Sequence, residues 1–230
     1  MKKIPFQKAV PVFWLLVLTE LLAIQTGSWW LHYFTKPLLM PTLVLLLLCP
    51  GVAAGNTKIV VAGLFFSWMG DVFLLFESRH TFFFIAGLSC FFITHACYIV
   101  YFLSTPSAAV SLLKNQPGYI VLILLYGFGL VWLLFPYLGE LKIPVILYSA
   151  VICCMLLCSL HIYLKVPSPA NRYFVSGAVL FVLSDSLLAV NKFYNPLPFA
   201  GILIMLSYCA AQYFIVTGVI KSYERRNHFK

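Results

Sequence analysis

An apolar run that ends in an acid decides the fold of this chain: it reads GLFFSWMGD at residues 63–71 and returns as GAVLFVLSD at residues 177–185. In both copies, which we call the first and the second Gly–Asp stretch, a glycine lies eight residues before the aspartate. The chain has only six acidic residues, so two of them stand at matched positions inside segments that favour lipid. A carboxylate at membrane depth is costly and by default marks a functional site.

The composition is that of a membrane protein. Hydrophobic residues make up 63% of the chain, charged residues 9%, and the mean hydropathy is +0.99. A soluble domain is about 45–50% apolar and about 25% charged. The apolar runs continue for about twenty residues, the length of a membrane helix, without the alternation of barrel strands. We therefore predict an all-α polytopic membrane protein, whose net charge of +9 sets orientation and indicates no nucleic-acid partner.

Eight membrane helices are predicted in one domain, residues 1–230, with breakers such as Pro50-Gly51 and Pro106 in the loops between them. The predicted spans are 10–27, 30–49, 57–76, 81–104, 118–136, 143–164, 172–192 and 198–220. An even number of spans places both termini on one side. That side carries eleven of the lysines and arginines and the other side three, so the positive-inside rule predicts that both termini are cytoplasmic.

The two aspartates are expected at one depth. Spans three and seven both run outward, and Asp71 and Asp185 each lie about fourteen residues in, roughly 20 Å at 1.5 Å per residue. Because the two helices are four spans apart, spans one to four and five to eight are candidates for a parallel repeat about an axis along the membrane normal.

Polar residues of the first half are expected near that depth. Lys36 precedes Pro37 and Pro41, which permit local unwinding against protein or a cavity. The alternative is that the Lys36 side chain extends to the outer interface. His95 and Tyr98 share a helix face, although a lone buried histidine is more often structural.

The second half offers further polar groups. Tyr148 either lines the site or anchors its helix at the interface, and Asn191 either lines the site or caps its helix. Tyr208 and Gln212 are i,i+4 neighbours that point one way. A glutamine in a span can also simply join two helices by hydrogen bonding.

The remaining reactive residue types give weaker signals. Glu20 is a third acid at depth, with His95 or Lys36 as candidate partners, while His32 lies near an interface and is given no special role. The seven cysteines are interpreted as small buried hydrophobes. Neither a helical histidine pair with metal-site spacing nor a nucleophile or phosphate-loop motif occurs, so no metal or cofactor is predicted.

Two aspartates at one depth in a low-dielectric bundle should not both ionise readily, which leaves one protonated acid and one carboxylate. That arrangement suits general acid–base hydrolysis. It suits a proton-coupled transporter or a lipid-binding membrane protein equally well, and a purely structural membrane subunit is the third possibility.

Several segments together resemble a known family. They are Lys36-Pro37-Leu38-Leu39-Met40-Pro41, the first Gly–Asp stretch with Val72-Phe73-Leu74-Leu75, Gly87-Leu88 with His95 and Tyr98, Pro144-Val145 with Tyr148-Ser149, the second Gly–Asp stretch with Ser186-Leu187-Leu188-Ala189 and Asn191-Lys192-Phe193, and Tyr208 with Gln212. In these segments the chain resembles the YhhN family of integral membrane proteins, whose animal members are lysoplasmalogenases.

The resemblance implies a hydrolase that cleaves the vinyl ether bond of a lysophospholipid substrate in the lipid bilayer, without a cofactor. It implies Asp71 and Asp185 as the catalytic acid and base, in an order that the sequence leaves open. The residues implied in binding substrate or water are Lys36, His95, Tyr98, Tyr148, Asn191, Tyr208 and Gln212. The expected location is a bacterial inner membrane or the endoplasmic reticulum, and the oligomeric state stays open.

Overall fold

The computed structural model describes residues 6–48, 56–105 and 109–228, and every regular element in these ranges is a helix. The α-helices are α1 Phe6–Thr26, α2 Trp29–Leu47, α3 Thr57–Leu74, α4 Thr81–Leu103, α5 Leu112–Asn115, α6 Gly118–Leu134, α7 Lys142–His161, α8 Ala170–Ala189 and α9 Ala200–His228. The all-α prediction is confirmed. The predicted loop breakers Pro50, Gly51 and Pro106 lie outside the described residues, as does Cys49.

Seven of the described helical segments are long and apolar enough to cross a membrane: Trp29–Leu47, Thr57–Leu74, Thr81–Leu103, Gly118–Tyr137, Gly139–His161, Ala170–Tyr194 and Ala200–Arg225. They correspond to predicted spans two to eight. The apolar part of α1 is shorter, Val10–Thr26. The chain is thus a multi-pass integral membrane protein, while the eighth span and the side of the termini stay predictions.

Two helical features differ from the sequence prediction. The short helix α5 was not predicted, and the Ser111 side chain caps it by accepting a 3.2 Å hydrogen bond from the Leu113 amide. Helix α9 continues past the predicted end at residue 220 as far as His228. Its polar extension carries an ion pair of 2.9 Å between Lys221 and Glu224, one helical turn apart, which suits a helix that leaves the apolar region.

The described helices form two compact units. The first contains α1, α2, α3, the part of α4 up to Tyr101 and the part of α9 from Val219 onward. The second contains the described residues between Phe102 and Gly218. Each Gly–Asp stretch belongs to one unit, the first on α3 and the second on α8. The predictions of a single domain and of a parallel repeat stay predictions.

A tight turn joins α1 to α2. Gly27 has a left-handed backbone with φ of 66°, which glycine adopts without steric cost. The Ser28 amide donates to the Ala23 carbonyl at 3.0 Å and the Gly27 amide donates to the Ile24 carbonyl at 3.4 Å. These are the two hydrogen bonds of a Schellman motif, so α1 ends cleanly and α2 packs back against it.

Helix α2 is continuous through both of its prolines, so the local unwinding suggested by the sequence does not occur. Pro41 has no amide hydrogen to donate to the carbonyl of Pro37, four residues earlier. The Trp68 indole N–H of α3 donates to that carbonyl instead, at 3.0 Å. A side chain of the first Gly–Asp stretch therefore satisfies the group that the proline leaves open.

The glycines that begin the two Gly–Asp stretches are sites of close helix approach. A β-carbon on Gly63 would lie 2.8 Å from the Tyr98 ring of α4, and one on Gly177 would lie 2.8 Å from Ile215 and 3.0 Å from the Ala211 carbonyl, both of α9. In the first pair, Thr94 also donates to the Gly63 carbonyl at 3.0 Å. Each glycine lets one neighbouring helix pack closely beside the helix that carries the aspartate.

Candidate functional site

The second Gly–Asp stretch places its acid against a tyrosine. The Tyr148 hydroxyl of α7 donates a hydrogen bond of 2.6 Å to Oδ2 of Asp185 on α8. Helices α7 and α8 pack together and position the two side chains. A hydroxyl that donates to an ionised carboxylate makes a short, charge-assisted bond. This contact joins two of the residues that the sequence named.

A pocket lies beside this pair, within the second unit. It has about 430 Å³ of empty space, counting the part that is open to the outside, and α6, α7 and α8 form its walls. On α8 it is bordered by Val182, Asp185, Ser186 and Ala189, whose spacing puts them on one helix face about 10 Å long.

Two serines of α8 flank the acid and hold its helix in place. Ser186 accepts a hydrogen bond of 2.7 Å from the Tyr126 hydroxyl of α6. Ser184 donates to the Ile204 carbonyl of α9 at 3.0 Å. Asp185 is therefore bracketed by contacts to both neighbouring elements. Tyr126 and Ser186 were not singled out from the sequence, because a contact between helices two spans apart leaves no periodic signal.

The first Gly–Asp stretch encloses its acid. Asp71 is only 2% exposed, and Ser67, one turn earlier on α3, is fully buried. Gly70 packs against the Phe91 ring, from which a β-carbon at residue 70 would lie 2.8 Å. The acid is thus held in the interior beside a close contact of α3 and α4.

His95 and Tyr98 of α4 are fully buried in the first unit. The Tyr98 ring contacts Gly63, the glycine of the first Gly–Asp stretch. Lys36 lies on α2 of the same unit and is partly exposed. The first unit thus contributes Lys36, Asp71, His95 and Tyr98 from the predicted set.

The other predicted residues belong to the second unit. Tyr208 and Gln212 of α9 are 5% and 0% exposed, and the Tyr208 ring meets Phe181 edge-on. Asn191 lies in a wider helical turn, Val190–Tyr194, that extends α8. Its side-chain oxygen accepts a 2.9 Å hydrogen bond from the Leu197 amide, in the connection between this turn and α9.

Glu20 has different partners from those suggested by the sequence. Its buried carboxylate lies 2.7 Å from Nδ1 of His32 and also accepts a hydrogen bond from the Thr35 hydroxyl, both on α2. Neither His95 nor Lys36 occupies that position, and the interpretation of His32 as a residue without a special role was wrong. His32 and Thr35 place polar groups against a carboxylate that would otherwise be costly in the interior.

A signal for this cluster exists in the sequence. In a helical hairpin, residues equally far from the turn lie side by side, and Thr35 lies as far after the Gly27-Ser28 turn as Glu20 lies before it. His32 is one helical turn from Thr35 on α2. The hairpin turn, rather than any spacing within one helix, identifies the partners of Glu20.

No group of three or more His, Cys, Asp or Glu side chains is arranged to hold a metal ion in the part of the chain that the structure describes. Of the six described cysteines, Cys90, Cys153, Cys158 and Cys209 are buried, as the sequence suggested, whereas Cys154 is exposed. The predicted site residues carry carboxyl, hydroxyl, imidazole, amide and amine groups.

Comparison with known proteins finds relatives over most of the chain. The model of the YhhN family matches residues 31–219. Lysoplasmalogenase TMEM86A of Homo sapiens is 30% identical over 239 residues, covering 100% of this chain and 92% of the relative. The Bos taurus protein of the same name is 32% identical, covering 97% of this chain and 90% of the relative.

A bacterial relative shows similar coverage. Lysoplasmalogenase of Mycobacterium bovis is 28% identical over 196 residues, covering 81% of this chain and 71% of the relative. No solved structure matches the chain. The similarity thus extends over most of the length, and includes both Gly–Asp stretches.

Proposed function

Because this chain belongs to the YhhN family, we propose that it is a membrane hydrolase that cleaves the vinyl ether bond of lysoplasmalogens. The products are a fatty aldehyde and glycerophosphocholine or glycerophosphoethanolamine. The observation that carries this proposal is the similarity over most of the chain to mammalian and mycobacterial proteins named lysoplasmalogenase.

The reaction needs acid and base chemistry alone. A proton added to the β-carbon of the vinyl ether creates an oxocarbenium ion, water adds to that ion, and the resulting hemiacetal collapses to aldehyde and alcohol. The slow step requires a proton donor, the cation requires a nearby anion, and the water requires a base. Two carboxyl groups can divide these roles, as they do around a glycosidic bond.

We assign the anionic role to Asp185. The hydrogen bond donated by Tyr148 supports a carboxylate at this position, because a charge-assisted bond favours the ionised acceptor. A carboxylate on the pocket wall can stabilise an oxocarbenium ion that forms beside it. The same carboxylate can then accept a proton from the water that adds to the ion. Tyr148 in this assignment positions the carboxylate.

The role of proton donor then falls to Asp71. The catalytic cycle needs one acid and one carboxylate, and Asp71 is the second carboxyl group of the repeated pattern. Its enclosure, with 2% of the residue exposed, restricts exchange of its proton with bulk water. When the hemiacetal collapses, Asp185 gives the proton that it took from water to the leaving alcohol oxygen, and Asp71 takes the proton of the hemiacetal hydroxyl, which restores both groups.

The remaining predicted residues bind the head group or orient water. Lys36 suits the substrate phosphate, because an ammonium group is a common phosphate ligand. The polar groups proposed to orient substrate or water are His95, Tyr98, Tyr208, Gln212 and the amide nitrogen of Asn191. The side-chain oxygen of Asn191 already holds the Leu197 amide.

We further propose that α1 is an eighth span and that both termini are cytoplasmic. Support comes from Glu20, whose carboxylate lies against His32 and Thr35 of α2, so that α1 brings its acid into the apolar region beside polar groups. The distribution of lysine and arginine between alternate loops gives the orientation. Accessibility of single cysteines introduced at residues 3 and 228 to a membrane-impermeant reagent tests both points.

The test of the function uses purified protein and three lysophospholipids with the same chain and head group. Their chains are attached by a 1-alkenyl, a 1-alkyl or a 1-acyl link. We expect aldehyde from the alkenyl compound alone. In deuterium oxide the trapped aldehyde should carry one deuterium on the carbon next to the carbonyl, because that carbon is protonated in the slow step.

A well-folded protein that releases no aldehyde would remove this function. Movement of the alkenyl lipid or of protons across liposome membranes, with no product formed, would favour the transporter alternative. Aldehyde without deuterium at that carbon would exclude protonation of the β-carbon and with it the proposed roles of the two aspartates.

A further inference from the structure

The residues that line the pocket beside Asp185 determine which part of a lipid can bind there. Apart from Asp185, none of the described residues that line it carries a formal charge, and half of them are aliphatic. Leu134 and Val145 belong to a buried apolar cluster with Leu138. A phosphate would meet a carboxylate and no cation there, so the head group of a phospholipid is excluded by charge.

An aliphatic chain carries no charge, so the carboxylate does not repel it and it needs no cation. The α8 side of the pocket continues on both sides of the carboxylate, with Val182 three residues before it and Ala189 four residues after it. A chain whose first carbons lie at Asp185 would therefore have apolar contacts along its next carbons. Next to its polar linkage, such a ligand would meet Asp185, the one charged group among the described lining residues, and the Tyr148 hydroxyl bonded to it.

Part of the pocket wall is also exposed on the outer side of the helices. Helix α6 forms one wall, and its Tyr126 lines the pocket while remaining 46% exposed. The Tyr126 hydroxyl reaches across to Ser186 of α8 at 2.7 Å. This pair joins an exposed side chain of α6 to the residue that follows the acid on α8.

We propose that this pocket holds the aliphatic chain of the lipid substrate, entering sideways from the bilayer, with its first carbons beside Asp185. The assignment rests on the proposed function, because it takes the occupant to be a single-chain ether lipid. Lipid tails are as apolar as the pocket wall, so moving the chain from bilayer to pocket gains little hydrophobic energy. The pocket acts through its shape, and we expect it to set the accepted chain length.

Two neighbouring residues of α8 provide a matched pair of variants. Val182 lines the pocket, whereas Leu183 does not line it and is 46% exposed on the outer surface. Val182→Phe adds a ring inside the pocket, and Leu183→Phe adds a ring of the same size outside it. Ala189→Leu is a second pocket-filling variant for the case in which Val182→Phe does not fold.

The experiment measures binding and turnover for chains of eight to eighteen carbons. Binding uses 1-alkyl lysophospholipids, which lack the double bond and resist vinyl ether hydrolysis, and turnover uses the matched 1-alkenyl compounds. In Val182→Phe we expect the ratio of long-chain to short-chain binding to fall by about tenfold, equivalent to about 1.4 kcal/mol. In Leu183→Phe we expect the wild-type ratio within about twofold.

The outcomes separate the two proposals. A wild type that releases no aldehyde, but whose binding of long alkyl chains falls in Val182→Phe alone, removes the proposed function and leaves the pocket assignment standing. Aldehyde release with the same chain-length profile in wild type, Val182→Phe and Ala189→Leu overturns the assignment and leaves the function standing. An equal change in the ratio of long-chain to short-chain binding in Val182→Phe and Leu183→Phe also overturns the pocket assignment.

Discussion

The two Gly–Asp stretches begin in the same way and end differently. Gly63 and Gly177 each let a neighbouring helix approach so closely that an added β-carbon would lie 2.8 Å from the nearest side chain. Asp71 is then enclosed, with 2% of the residue exposed, whereas Asp185 borders a pocket and accepts a hydrogen bond from Tyr148. The repeated spacing determines how the helices pack, but not the surroundings of the acid.

The two stretches also differ at one matched position. Three residues before each aspartate, and so on the same helix face, the first stretch has Trp68 and the second has Val182. The Trp68 indole donates to the Pro37 carbonyl of α2 at 3.0 Å. The smaller Val182 leaves room beside Asp185, where it lines the pocket. The matched position thus carries a side chain that bonds to α2 in the first stretch and a smaller one that borders the pocket in the second.

Replacing the aspartates should have the largest effect. We expect Asp71→Asn and Asp185→Asn each to lower kcat for alkenyl lysophospholipid by about 10²–10⁴-fold, the usual contribution of a general acid or base. Aldehyde release at saturating substrate measures it. The control is Glu140→Gln, an exposed acid before α7, which should keep full activity. Full activity in both asparagine variants would remove the roles assigned here.

Replacing Tyr148, which donates a hydrogen bond to Asp185, should have the second-largest effect on activity. Tyr148→Phe removes one hydrogen bond to a carboxylate, worth about 1.5–3 kcal/mol, so we expect kcat to fall by about 10–100-fold while the protein stays folded. Tyr119→Phe, on α6 and 39% exposed, is the matched control. A change in KM with no change in kcat would instead indicate that Tyr148 contacts the head group.

Replacing Gly63 and Gly177, which begin the two stretches, tests the close helix packing that both stretches share. Gly177→Ala should lower the free energy of unfolding by about 1–3 kcal/mol, the usual cost of overpacking. The atoms it meets include the backbone of Ala211 and Ile215, which cannot rotate away. Gly63→Ala meets only side-chain atoms and should cost less.

Melting temperatures in detergent rank the glycine variants. Gly129→Ala, where an added β-carbon meets nothing within 4 Å, should be neutral or slightly stabilising, because alanine favours the helix. Equal melting temperatures for Gly177→Ala and Gly129→Ala would show that close approach at Gly177 is not required.

Replacing Trp68 should have the smallest effect, a small loss of stability. Trp68→Phe keeps an aromatic ring beside α2 but leaves the Pro37 carbonyl without its indole donor. We expect a loss of about 1 kcal/mol of stability, the typical net value of one hydrogen bond. The loss should appear as a lower melting temperature relative to Trp132→Phe, a change at a side chain that is 73% exposed. An identical melting temperature for the two variants would contradict the role given to Trp68.

Most of the helices could be predicted because a membrane helix is specified by one continuous stretch of sequence. An apolar run of about twenty residues is sufficient for a span, and predicted spans two to eight each match a described helical segment. The end of α9 was predicted too early because its final polar turns continue the helix without continuing the apolar run. Helix α5, with four residues, has too little length to leave a periodic pattern.

The candidate site was predictable only in part. Asp71 and Asp185 stand out because acids are rare here, and Tyr148 because its resemblance to a family position is visible in the sequence. The contact of Tyr126 with Ser186 and that of His32 with Glu20 depend on tertiary packing. Trp68 drew attention only as part of a motif, and its hydrogen bond becomes understandable once Pro41 is seen to leave a carbonyl free.

The contact between Glu20 and α2 also bears on how the chain enters the membrane during synthesis. In the eight-span topology proposed above, α1 would leave the ribosome first, and an unpartnered acid at the centre of an inserting helix costs about 2.5–3.5 kcal/mol. Thr35 follows Glu20 by only 15 residues, and His32 comes sooner. Helices α1 and α2 therefore suit joint insertion as a hairpin, in which the acid reaches lipid already bonded to its partners.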